Sequence, residues 1–145
     1  MTTEAQIGYG GSFAIQQTGD ASPVVVAEVT NITPPSDQVD ILDATNMASP
    51  DATREFIIGL RDPGECTLEM NFVPGGAGDT KIQAVRTARV PVTCVVTFPA
   101  IAPADAVTWP FTGTLTGYEP DMPVDDKMTA AVTWKVTGSY VTGTV

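Results

Sequence analysis

The fold is decided by V-T-W-P-F-T-G-T-L-T-G-Y at residues 107–118 and D-K-M-T-A-A-V-T-W-K-V-T-G at residues 126–138. Apolar residues and threonines alternate through both segments. In each segment one set of alternate positions, here called the apolar parity, is apolar, and the other set is mostly threonine. The apolar parity comprises Trp109, Phe111, Leu115, Met128, Val132, Trp134 and Val136. Because successive side chains of a strand point to opposite faces, this period of two predicts a long hairpin with one buried and one polar face. Its turn is predicted at residues 119–123, which include two prolines and an aspartate.

Weaker patterns predict the rest of the fold. Strands are expected at residues 13–17, 24–33, 65–73 and 90–98, a loop at residues 99–106, and one helix at residues 79–89, with Asp79 as its cap. In the strand at 65–73, Glu65 and Glu69 fall on the polar parity. The order of elements predicts a mainly β fold, an antiparallel β-sandwich or partly closed barrel with one flanking α-helix. The length of 145 residues fits a single domain spanning 1–145.

Two segments stand apart from these elements. Residues 1–12 are polar and glycine-rich and are expected to form an N-terminal arm. Residues 36–61 carry many apolar side chains without a clean period of either kind, so a long loop is expected there. If the loop is exposed, its apolar residues indicate an interface between subunits. The alternative is that it folds back on its own core as an extra strand or short helix.

Composition excludes several classes of function. Hydrophobic residues make up 43% and charged residues 17% of the chain, so a packed core is expected rather than disorder. The net charge of −10 argues against binding nucleic acid, which requires Lys and Arg to neutralise phosphates, although it also suits mere solubility. No apolar run has the length of a membrane span, and the N-terminus lacks the features of a signal peptide. Synthesis and folding in a cytoplasm, without a membrane partner, are therefore expected.

No constellation of residues predicts an enzyme, a cofactor or a metal site. The chain has no histidine, which removes the commonest general base and metal ligand. Asp37, Asp40 and Asp43 recur every third residue, whereas a calcium loop uses alternate positions. The glycine-rich segment 75–81 lacks the Gly-Lys-Ser/Thr ending of a phosphate loop.

The cysteines and tryptophans are interpreted as core residues. Cys66 and Cys94 lie at apolar positions of strands and are expected as reduced thiols rather than a disulfide. Trp109 and Trp134 share the buried parity, which favours packing over a stacking platform for sugars or bases.

The C-terminal segments also carry a resemblance to a known family. Phe111-Thr-Gly113, the corner from Gly117-Tyr118 to Pro123, and Met-Thr-Ala-Ala-Val-Thr-Trp-Lys-Val-Thr-Gly at 128–138 resemble the end of tail tube (major tail) proteins. These are structural proteins of long-tailed bacteriophages and gene transfer agents, related to type VI secretion tubes. The alternatives are another small β-rich virion protein, such as a decoration protein, tail terminator or connector, or a carbohydrate-binding β-sandwich.

The resemblance implies a subunit of a virion tail, assembled in the host cytoplasm. Members form hexameric rings that stack into a tube, with one sheet of each subunit lining a negatively charged lumen through which DNA passes without specific binding. Tail-tip, tape-measure and terminator proteins are the implied partners. The candidates for lumen-facing residues are Glu28, Glu65, Glu69 and Asp126. The arm 1–12 and the loop 36–61 are expected to bridge subunits, with inter-ring candidates Asp37, Asp40, Ile41, Leu42, Met47 and Phe56.

Overall fold

The computed structural model describes residues 7–99 and 106–140. Half of the expected N-terminal arm and most of the loop predicted after Pro99 therefore lie outside the described residues. Nine strands and one helix follow one another along the described chain. They are β1 Ser12–Gln16, β2 Val24–Val25, β3 Val29–Thr33, β4 Gln38–Asp43, β5 Phe56–Asp62, β6 Glu65–Asn71, α1 Ala77–Ala88, β7 Val92–Thr97, β8 Thr108–Asp121 and β9 Thr129–Thr137.

Seven of these strands form one antiparallel sheet in the order β2-β1-β7-β8-β9-β6-β3. The edge strands β2 and β3 are separated by only three residues, so the Cα atoms of Val25 and Val29 can be at most about 15 Å apart. The sheet must therefore curl until its two edges approach each other. Within the described residues no ladder joins β2 to β3, so the barrel stays open and the predicted fold class is confirmed.

The core fills the concave side of this sheet. Phe13, Leu68, Val132 and Trp134 have no exposed surface, and Phe13 and Trp134 pack with their ring centroids 6.0 Å apart. The apolar parity predicted for the C-terminal hairpin faces this core. A bulge between Leu115 and Gly117 inserts one residue into β8, after which the alternation resumes.

Helix α1 closes the core against the sheet. Its residues Ile82 and Val85 are buried in the same cluster. The prediction that Asp79 caps the helix is wrong, since Gly76 is the N-cap and Asp79 is the third helical residue. Its carboxylate instead accepts hydrogen bonds from the Gly75 amide at 3.0 Å and the Tyr118 hydroxyl at 2.8 Å, which ties the helix to β8.

Three other predictions of the local structure are also wrong. The strand expected at 24–33 is interrupted at 26–28, where Glu28 adopts a left-handed conformation with φ of 58°. The turn expected at 119–123 begins later, because β8 continues to Asp121. The long loop expected at 36–61 is a β-hairpin of β4 and β5, with a short 3-10 turn at Pro50–Ala52 between them.

Candidate assembly surfaces

The convex side of the seven-stranded sheet is a broad polar surface. Its residues alternate with the buried ones and meet in cross-strand pairs, such as Thr67 with Thr133 and Thr112 with Thr137. We call this surface the polar face. It comprises Ser12, Ala14, Gln16, Asn31, Thr33, Glu65, Thr67, Glu69, Asn71, Thr93, Val95, Thr97, Thr108, Pro110, Thr112, Thr114, Gly117, Glu119, Asp121, Thr129, Ala131, Thr133, Lys135 and Thr137.

Carboxylates gather at one end of the polar face. Ala131 of β9 pairs with Glu69 on one side and with Glu119 on the other, which places the two glutamates two strands, or about 10 Å, apart. Asp121 lies two residues further along β8 on the same face, opposite Thr129. Within the part of the chain that the structure describes, neither glutamate nor Asp121 has a cation within 4.0 Å. An open depression of about 530 Å³ lies among these three side chains.

The ammonium of Lys135 does not neutralise this cluster. Lys135 pairs with Glu65 in the ladder, but its Nζ lies 3.2 Å from Oδ1 of Asp62, just outside the sheet. The Gly64 amide and Lys135 together lower the pKa of the Asp62 carboxyl. The one cation of the polar face is therefore held by an aspartate at the base of the β4–β5 hairpin.

The four lumen-facing candidates divide into two pairs. Glu65 and Glu69 lie on the polar face, whereas Glu28 lies in the link between β2 and β3 and Asp126 lies in the connection between β8 and β9. The sequence prediction missed Glu119 and Asp121, which lie with Glu69 at the acidic end of the polar face. The alternation of β8 continues through both residues, but the prolines around them suggested a turn instead.

The β4–β5 hairpin is exposed over its whole length. Every residue of β4 and every residue of β5 except Gly59 is exposed. Strand pairing places Ile41 opposite Ile58 on one face and Leu42 opposite Ile57 on the other, so both faces are apolar. Eight large apolar side chains are exposed in residues 39–60: Val39, Ile41, Leu42, Met47, Phe56, Ile57, Ile58 and Leu60. A two-stranded sheet with no core of its own is marginally stable in water, and a patch of this kind marks an interface.

Two ion pairs lie within the hairpin. Arg54 Nη1 is 2.8 Å from Asp43 Oδ2, and Arg61 Nε is 3.2 Å from Asp37 Oδ2. Hydrogen bonds from Thr45, together with Arg54, lower the pKa of Asp43. Asp37 and Asp43 are thus engaged with arginines rather than free to ligate a metal. Within residues 7–99 and 106–140 no three Asp, Glu, Cys or His side chains come together as a metal-binding group.

The remaining candidates for chemistry are buried. Cys66 and Cys94 are free thiols without exposed surface, and burial raises the pKa of Cys66 to about 12. Trp134 has no exposed surface, and Trp109 packs edge to face on Phe98 with ring centroids 4.9 Å apart. Neither tryptophan presents a free stacking platform. In the described residues no helix has the length and apolar character needed to cross a membrane.

Residues 8–143 match the family model described as the lambda phage tail tube protein. The chain belongs to the lambda phage tail tube protein family. This confirms the resemblance seen in the sequence, and it identifies the chain as a structural tail tube protein of the virion tail rather than an enzyme. A comparison with curated protein sequences found no match.

Solved structures share the fold of this tail tube protein. A subunit from the tail of an empty gene transfer agent particle is 16% identical, with 97% of this chain and 100% of that chain covered and a TM-score of 0.74. A chain of the anti-feeding prophage baseplate is 9% identical, with 98% of each chain covered and a TM-score of 0.74. The tail tube protein of SPP1 is 12% identical over 93% of this chain and 77% of that chain, with a TM-score of 0.62.

Proposed function

We propose that this tail tube protein forms hexameric rings that stack into a tube, and that the polar face lines a negatively charged lumen for DNA passage. The observation that carries the proposal is the polar face itself. Within residues 7–99 and 106–140 no element packs on this side of the large sheet, whereas the other side packs on the core and α1. Six-fold symmetry is supported by the gene transfer agent tail, which was determined with C6 symmetry.

The charges of the polar face suit a channel that must not hold DNA. Retention of a nucleic acid requires cations that neutralise its phosphates. The polar face offers Glu65, Glu69, Glu119 and Asp121 against Lys135, whose ammonium is already paired with Asp62. In a six-fold ring each carboxylate would recur six times around the lumen, so phosphates would be repelled along the whole circumference.

The β4–β5 hairpin and the N-terminal arm would bridge neighbouring subunits. Association would cover the apolar residues that the hairpin exposes and would pair strand edges that are open in the monomer. A ring is a heterologous contact that closes, and stacked rings form an open filament. Tail-tip, tape-measure and terminator proteins would meet this filament at its ends or in its lumen, and assembly would take place in the host cytoplasm.

Electron microscopy of the purified protein at rising concentration tests the assembly. Stacked hexameric rings with the polar face inward are expected. A tube with Glu65 and Glu69 on its outer wall would refute the lumen assignment. Replacing residues 38–61 by a short Gly-Ser linker is expected to leave a folded subunit that forms no tubes. Gln38 pairs with Asp62 at the base of the hairpin, so a short linker can join Asp37 to Asp62.

The charge of the lumen is tested by reversing it. Tubes carrying Glu69→Lys and Glu119→Lys are expected to retain short double-stranded DNA in a filter-binding assay, with a salt dependence that wild-type tubes lack. The matched control replaces four exposed residues of α1 by lysine, which changes the net charge by the same +4 as the two Glu→Lys changes: Gln83, Ala84, Thr87 and Ala88. Equal retention by both variants would show that the polar face does not line the DNA channel.

A further inference from the structure

A second apolar patch lies at the end of the sheet opposite the β4–β5 hairpin. At the hairpin end, the Val136 amide donates to Gly64 O at 3.1 Å, beside the start of β6. At the other end, Thr129 pairs with Asn71, and the Phe72 amide donates to Met128 O at 2.9 Å. The residues after β6 and the connection between β8 and β9 therefore lie together, about 20 Å along β6 from the base of the hairpin.

This end of the sheet exposes three apolar side chains, which we call the turn patch. They are Val73, Met122 and Val124, exposed by 47%, 77% and 104%. The hairpin offers a matching set on one face, since Ile41 pairs with Ile58, and Phe56 lies two residues before Ile58 on the same strand. Ile41, Phe56 and Ile58 are exposed by 60%, 57% and 78%. One face of the hairpin and the turn patch thus each present three apolar side chains that the described residues leave uncovered.

We infer that the hairpin face of Ile41, Phe56 and Ile58 in one copy docks on the turn patch of the next copy along the tube. The inference rests on the proposed tube and names the surface that receives the hairpin. Two different patches at opposite ends of one subunit make a heterologous contact, which propagates head to tail and does not close on itself. The unbranched side chain of Met122 suits such a contact because it adapts its shape to a partner.

The available area explains why rings, rather than single subunits, would stack. Three apolar side chains bury on the order of 100 Å² each, so one pair of copies would bury roughly 600 Å² in total, below the size of a stable interface. Six such contacts between two rings would bury roughly 3,600 Å², which lies in the range of permanent complexes. The contact would therefore be weak between monomers and strong between rings, because six sites engage together.

Cysteine cross-linking tests this contact because it also traps weak encounters. Cys66 and Cys94 are fully buried, so newly introduced cysteines would be the reactive ones. A tagged Ile58→Cys protein is mixed with an untagged Val124→Cys protein and treated with a short bifunctional maleimide. The mixed dimer is expected to exceed either homodimer at least about tenfold. The matched control replaces Val124→Cys by Val90→Cys, an exposed apolar site that precedes β7 at the end of the sheet opposite the turn patch.

The possible outcomes separate this inference from the proposed tube. A double variant with Ile58→Cys and Val124→Cys is expected to yield a ladder of multimers, as an open head-to-tail contact requires. Homodimers of Ile58→Cys alone would show a hairpin-to-hairpin contact and overturn the inference, as would equal yields with Val90→Cys and Val124→Cys. Tubes without the 58–124 cross-link would refute the inference alone. The cross-link without tubes would support the contact and count against the ring assembly.

Discussion

Gly64, at the base of the β4–β5 hairpin, provides a sharp test of how the hairpin is attached. Its φ of 78° is a left-handed conformation, and a Cβ added there would lie 2.2 Å from the backbone oxygen of Ser36. Gly75 has nearly the same φ of 74°, but a Cβ added there would have no atom within 4 Å. Comparison of the two alanine variants therefore separates the strain of the left-handed backbone from the cost of the close approach to Ser36.

The expected losses of stability differ by about a factor of two. A left-handed alanine costs about 1–2 kcal/mol, and this is the whole loss expected for Gly75→Ala. Gly64→Ala must also displace backbone by about 1 Å, since real Cβ contacts are not shorter than 3.0 Å. This shift strains the hydrogen bonds from Val136 to Gly64 and from Gly64 to Asp62, at 3.1 and 3.0 Å. With about 1 kcal/mol for each bond, the total is roughly 3–4 kcal/mol.

Thermal and urea unfolding followed by circular dichroism would measure both losses. At about 3 °C per kcal/mol, the melting temperature should fall by roughly 3–6 °C for Gly75→Ala and 9–12 °C for Gly64→Ala. Equal losses would refute the close crossing of Ser36 and Gly64, and with it the described attachment of the hairpin. A normal melting temperature for Gly75→Ala would instead show that the left-handed strain is absent.

Three further predictions concern single sites. Arg89 ends α1 in a left-handed conformation with φ of 54°, which glycine adopts without strain. Arg89→Gly should therefore raise the free energy of unfolding, measured by urea titration, by about 0.5–1 kcal/mol. A lower free energy of unfolding would contradict the left-handed cap. Lys81, together with a backbone hydrogen bond from Gln17, lowers the pKa of Asp20. The charged carboxylate therefore stabilises the folded state above its ordinary pKa of 3.8, and this stabilisation is lost as the pH falls below that value. Asp20→Asn should therefore be destabilising at pH 7 and have a smaller effect at pH 2, and an equal effect at both pH values would refute the pairing. Cys66 and Cys94 should resist iodoacetamide at pH 8 in the folded protein and react after unfolding, as read by mass spectrometry, because burial keeps both thiols protonated.

The alternation of apolar residues and threonines determined much of the fold by itself. The period of two fixed which side chains of β6, of β9 and of β8 up to Leu115 face the core, because neighbouring residues of a strand cannot share a face. The bulge after Leu115 reverses the parity in the rest of β8. The absence of histidine and the acidic composition also pointed away from catalysis and nucleic-acid binding without any knowledge of how the chain folds. The final segment at 128–138 carried the family resemblance, which the family match confirmed.

Tertiary structure alone decided how these elements meet. Glu69 and Glu119 are 50 positions apart in the chain and become neighbours only because both pair with Ala131. The alternation of residues within one strand does not determine which residues of two strands pair, so the sequence pattern could not predict this neighbourhood. Residues 36–61 have no clean alternation because both faces of the hairpin stay exposed, so no core selects one parity for apolar side chains. The opposite placement of the hairpin and the turn patch follows from the direction of β6 within the sheet, which pairing with β9 fixes.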